Sequence, residues 1–207
     1  MKFIYLHGFA SSPSSRKAAF FAAKLREAGQ QVEVPHLEKE GFRRLTVTSQ
    51  LNIIEDLLDD GPVRLIGSSM GGYLAALAMQ RNSQIDRGVL LAPAFGFAER
   101  WERRLGAETM AHWREAGAIE MMHYATGRPE PIGYELIADG LQYPAEPRFP
   151  QAALVFHGVL DDVVPVEFSR EFVAGSPSVS LIELHSGHEL TDVMEEIWAG
   201  SRDFLLS

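Results

Sequence analysis

Short apolar runs alternate along the chain with stretches in which apolar residues recur every three or four positions. The runs Lys2–Leu6, Gln31–Val34, Val63–Ile66, Arg87–Leu91, Ala153–Phe156 and Val179–Leu184 read as strands. Between them, Ala18, Phe21, Leu25 and Ala28 make a helical stripe, as do Leu51, Ile54, Leu57 and Leu58, and Tyr73, Leu74, Leu77 and Ala78. Phe168, Phe172 and Val173, and then Val193, Ile197 and Trp198, continue the series. Continuous apolar strands separated by amphipathic helices predict a mostly parallel sheet of about six strands covered on both faces, a doubly wound α/β fold. Such folds bind ligands just beyond the carboxyl ends of their strands.

The alternation fails between Ala94 and Pro150. Ala98–Ala116 reads as a helix, and no strand is convincing in the rest. Five of the chain's eleven prolines lie here, with eight of its twenty aromatics. A loop that long without structure is uncommon, so residues 94–150 are expected to form a small, mostly helical insert in a single domain spanning 1–207, either a cap, the reading that the family resemblance described below favours, or extra helices packed on the sheet edge. Its aromatics Trp101, Trp113 and Tyr124 are the candidates for substrate contact.

Composition narrows the chemistry. The 207 residues carry a net charge of −9, which disfavours binding to nucleic acid or anionic membranes. There is no cysteine, so disulfides, thiol catalysis and cysteine-ligated zinc are excluded. The apolar run at the N-terminus is cut by His7 and Gly8, too early for a signal core, and no stretch has the length of a membrane span. A cytoplasmic protein is expected, with no membrane span, its oligomeric state left open.

The residues after the strands carry the motifs. Gly67-Ser68-Ser69-Met70-Gly71 follows Val63–Ile66 and precedes a helical stripe, the strand–turn–helix setting in which G-x-S-x-G exposes a serine. Ser69 has glycine two positions before and after it. Ser68 would have Ile66 and Met70 and fails that test. His7-Gly8-Phe9 follows the first strand, and the amides of Phe9 and Met70 are candidates for holding an oxyanion. Ser14-Ser15-Arg16-Lys17 nearby suggests a phosphate loop, but G-x-x-x-x-G-K-[ST] is absent. His7, at a strand end, suits a structural hydrogen bond. After Ala153–Phe156 comes His157-Gly158-Val159-Leu160-Asp161-Asp162, where one aspartate of the pair can orient an imidazole. His188 follows Gly187 beyond the last strand and is the candidate base, ahead of His185. The remaining histidines show no metal-ligand spacing.

The order serine, aspartate, histidine, with the motifs H-G-F-x-S-S, G-S-S-M-G-G-Y, H-G-x-x-D-x-x-V-P and S-G-H-E between residues 3 and 189, resembles the α/β-hydrolase superfamily and within it the compact bacterial serine carboxylesterases. The resemblance implies Ser69 as nucleophile, Asp161 rather than Asp162 as orienting acid, His188 as base, and Phe9 and Met70 as oxyanion donors. It implies hydrolysis of a small-molecule carboxylic ester without cofactor or metal. A thioesterase or amidase of the same mechanism, or a ligand-binding relative without catalysis, is the alternative. The larger family opens with two further strands for which this chain has no room, which bears on the first edge of the sheet.

Overall fold

The computed structural model of the chain describes residues 1–58 and 61–207. Strands β1 (Lys2–Leu6), β2 (Gln31–Glu33), β3 (Val63–Ser68) and β4 (Ile85–Leu91) alternate with helices α1 (Arg16–Glu27), α2 (Val47–Glu55) and α3 (Met70–Arg81). After β4 come helix α4 (Phe97–Ala116), strands β5 (Ala118–His123) and β6 (Arg128–Gly133), and helix α5 (Glu135–Gly140). The chain then runs through β7 (Ala152–Gly158), α6 (Glu167–Ala174), β8 (Val179–Leu184) and α7 (Met194–Leu206). Six strands form one sheet in the order β2-β1-β3-β4-β7-β8, all neighbours parallel.

Alternation along each strand divides the core in two. Phe3 and Tyr5 of β1 point to one face with Ile66, Val89 and Phe156, where α1 and α7 supply Phe21, Leu25, Ile197 and Leu205. Ile4 and Leu6 point to the other with Leu65, Leu90 and Val155, against Leu51, Leu74, Leu77 and Phe172 of α2, α3 and α6. Both faces are therefore dry, and this explains why the strands read as unbroken apolar runs rather than as alternating ones. The chain turns outward from β1 to the edge strand β2 and, after crossing back to β3, proceeds toward the other edge. The reversal lies between β1 and β3, and their carboxyl ends carry the two glycine-led loops.

The segment after β4 differs from expectation in one respect. Its helices are α4 and α5, but residues 118–133 fold as an antiparallel hairpin. Pro129 and Pro131 in β6 conceal it in the sequence. They are two residues apart, so both present their missing N–H to the same edge, which a two-stranded ribbon leaves unpaired. Helix α4 is broken at Gly106, whose φ of 78° and ψ of 159° are not helical. No helix among the described residues is long and apolar enough to cross a membrane.

Candidate active site

Ser69 is the single residue between the last position of β3 and the first of α3. Its φ of 54° and ψ of −117° are a conformation that costs a non-glycine residue about 1–3 kcal/mol. Four backbone hydrogen bonds hold it there: its N–H donates to Leu91 O at 2.8 Å, and its carbonyl accepts from Gly72, Tyr73 and Ala94 at 2.9, 3.1 and 3.0 Å. The turn closes only because its neighbours lack side chains. A Cβ on Gly67 would overlap the backbone of Gly71, and a Cβ on Gly71 would overlap the Leu6 carbonyl and stand 2.6 Å from that of His7.

The turn aims the serine hydroxyl at His188, Oγ to Nε2 2.9 Å. His188 Nδ1 lies 2.7 Å from Asp161 Oδ2. A carboxylate only accepts, so Nδ1 carries the proton, and Nε2 is left as acceptor for the serine hydroxyl. The His188 side chain is 12% exposed and that of Asp161 is 0% exposed. Asp161 has further donors: Oδ1 accepts from the Val163 and Val164 amides at 2.9 and 2.7 Å, and Oδ2 also accepts from His157 Nε2 at 3.1 Å. Burial pushes the Asp161 carboxyl up, but the hydrogen bonds from His157, His188 and Val164 together outweigh it and hold the group well below the usual carboxylate range. Asp162 is exposed and has no part in this network.

The loop after β1 comes against the same serine. A Cβ on Gly8 would lie 3.4 Å from Ser69 Cβ and 4.0 Å from its Oγ, so a side chain there would stand against the serine and glycine leaves that space open. Phe9 follows, and its ring packs edge-on against Trp101 at 5.1 Å and tilted on Phe42 at 5.2 Å. The Met70 amide leads α3, where helix amides have no acceptor within the helix. His7 is buried. Its Nδ1 donates to Gly8 O at 3.0 Å and its Nε2 accepts from the Leu37 amide at 3.5 Å, a structural pairing on the far side of the loop. His185 is exposed.

Phe9, Ser69, Met70 and His188 all line one cavity of about 930 Å³. Phe97, Trp101, Leu105 and Met121 give it an apolar wall, and Tyr124 stands at its mouth. Trp113 corrects the sequence reading: it does not line the cavity. Its ring is fully buried, packs on Trp101 and Tyr134, and donates its indole N–H to Ile132 O at 3.0 Å. Aromatic density in residues 94–150 is the ground for naming it, and density does not distinguish a ring on the cavity wall from one packed behind it. The sequence reading also passed over His157. Buried completely, it faces both Asp161 Oδ2 and Val164 O with Nε2, which therefore carries its proton, and it meets Ser169 Oγ with Nδ1 at 2.7 Å. Its place four residues before the acid was the available signal. Among the described residues no group of three His, Cys, Asp or Glu side chains is arranged to hold a metal ion.

The model of an uncharacterised protein family, UPF0227, matches residues 2–203. No curated protein matches the sequence. Solved structures match over nearly the whole chain. A protein of Agrobacterium vitis S4 aligns at a TM-score of 0.85 and 22% identity, covering 98% of this chain and 87% of its own. Alpha/beta hydrolase domain-containing protein 10 from mouse aligns at 0.83 and 20% identity, covering 99% and 89%. Est1E from Butyrivibrio proteoclasticus, solved with ferulic acid bound, aligns at 0.82 and 19% identity, covering 99% and 88%. At these identities the likeness is one of fold, and the fold is that of the α/β-hydrolases.

Proposed function

The chain belongs to the uncharacterised family UPF0227, and we propose that it is a serine hydrolase that cleaves carboxylic esters through an acyl-enzyme on Ser69. The observation that carries this reading is the unbroken line from Ser69 Oγ through His188 to the buried Asp161, with contacts of 2.9 and 2.7 Å. Ser69 Oγ attacks the ester carbonyl as its proton passes to His188 Nε2. Asp161 stabilises the imidazolium, and the Phe9 and Met70 amides receive the developing oxyanion. His188 then gives the proton to the leaving alkoxide. Water, deprotonated by His188, attacks the acyl-enzyme and releases the acid. The scheme consumes one ester and one water, yields one acid and one alcohol, and uses no cofactor.

Residues 94–150 act in this reading as a cap, with Trp101 and Tyr124 contacting an apolar acyl or alcohol group. The test is labelling with an uncharged fluorophosphonate, followed by p-nitrophenyl esters of graded chain length set against acyl thioesters and anilides. The wild type and Ser68→Ala are expected to label. Ser69→Ala is not, and its kcat should fall by up to about 10⁶, the loss seen when a triad serine is removed. A wild-type protein that neither labels nor turns over any of these substrates rejects the proposal.

A further inference from the structure

Two polar side chains in the cavity are left unused by this mechanism, and neither makes a hydrogen bond of good geometry with a described residue. Lys17, the second residue of α1, lines the cavity but is only 8% exposed. It makes no hydrogen bond or ion pair with any described residue. Tyr5, next to last in β1, also lines the cavity, and its buried hydroxyl is drawn to Ser68 without a hydrogen bond of good geometry. Buried ammonium and hydroxyl donors left unpaired are costly, so their retention asks for an acceptor that comes and goes.

Their surroundings define that acceptor. The cap position of α1, Ser15, makes no side-chain bond to the helix amides, and the first turn of this twelve-residue helix has no acidic residue. Its leading N–H groups and the positive end of its dipole are uncompensated. Arg16, Arg100, Arg103 and Arg104 line the same cavity, opposed by the carboxylates of Asp162 and Glu189. This is an excess of positive charge in a chain whose net charge is −9. Burial lowers the Lys17 pKa, while the charges of Glu189 and Asp161 draw it back up without forming an ion pair.

We infer that Lys17, the Tyr5 hydroxyl and the N-terminus of α1 form a subsite for an anionic oxygen group, a carboxylate or a phosphate, carried by the substrate away from its scissile bond. That the ligand is a substrate rests on the proposed serine hydrolase. The subsite itself does not.

The kinetic test uses three p-nitrophenyl esters of equal chain length: hexanoate, the adipate monoester with its free carboxylate, and 6-phosphonooxyhexanoate. The wild type is expected to prefer one of the anionic esters, and which one names the group. Lys17→Met should lower the ratio of anionic to neutral kcat/KM about tenfold or more, since hydrogen bonds to charged groups are worth that much. Lys17→Arg should restore part of the ratio, and added salt should erode the preference in the wild type. Tyr5→Phe, which removes one oxygen, is the milder variant should Lys17→Met fold poorly, and is expected to lower the same ratio about threefold or more. A ratio unchanged in Lys17→Met or Tyr5→Phe, or a wild type indifferent to the charge, overturns the subsite.

A binding arm separates the two readings. Adipate and 6-phosphonooxyhexanoate are titrated calorimetrically into the Ser69→Ala protein with and without Lys17→Met. Binding that needs Lys17, in a protein whose wild type cleaves nothing, keeps the subsite and rejects the hydrolase. Ester cleavage by the wild type with no anion binding to Ser69→Ala keeps the hydrolase and rejects the subsite.

Discussion

Asp161 accepts hydrogen bonds from four donors, and only one of them, His188, reaches the serine. The others fix the carboxylate, and their combined effect gives a pH signature. Because the carboxyl is held below its usual range, folding favours its ionised form. Its contribution to stability is complete above the unfolded value, about 3.9, and is lost as pH falls through the native one. Asp161→Asn should therefore lower the urea midpoint at pH 7, with the gap to wild type closing below about pH 4. A gap independent of pH would contradict the assignment. The same variant should lose about 10⁴ in kcat, because an amide stabilises the wrong imidazole tautomer. Exposed Asp162, changed to Asn, should do neither.

The elbow is a property of two elements meeting. Gly71→Ala would drive a methyl into the carbonyls of β1's end, where backbone cannot yield. It is expected to cost more than about 2 kcal/mol in denaturant unfolding and to abolish labelling. Gly187→Ala, whose methyl would meet nothing nearer than the Leu160 carbonyl at 3.9 Å, should be tolerated. The segment after β4 separates its two tryptophans in the same way. Trp113→Ala, emptying a closed site, should cost about 3–5 kcal/mol, whereas Trp101→Ala should change the ester chain-length profile. If Trp101→Ala leaves that profile untouched, the apolar wall has no part in selection. These contrasts mark what was legible. Strands and the elbow could be read because dry faces and forced glycines leave local signatures. The β5–β6 hairpin could not, since its prolines contradict strand propensity and only the open edge of the ribbon reconciles them. Burial of Trp113 could not either, because what covers it, Ile132 of β6 and Tyr134 just beyond, comes from the hairpin that the sequence concealed.

At the scale of the whole molecule, strand order was beyond reach, since apolar runs do not say who their neighbours are. What could be read was the chain order of the chemical groups, and the sheet turns that order into proximity: residues 69, 161 and 188, distant in sequence, lie in the loops just beyond β3, β7 and β8 and meet there. The backbone at Ser69 has a further consequence for the molecule. Relief of its conformation by glycine should recover about 1–3 kcal/mol, less about 0.5–1 kcal/mol for the greater freedom of the unfolded chain. Ser69→Gly should therefore unfold at higher denaturant than wild type, and Ser69→Ala, which keeps the Cβ, should not share the gain. Stability and chemistry thus pull position 69 in opposite directions. In the proposed hydrolase, selection for stability alone would favour glycine there, and the demand for a hydroxyl holds the serine against that pull.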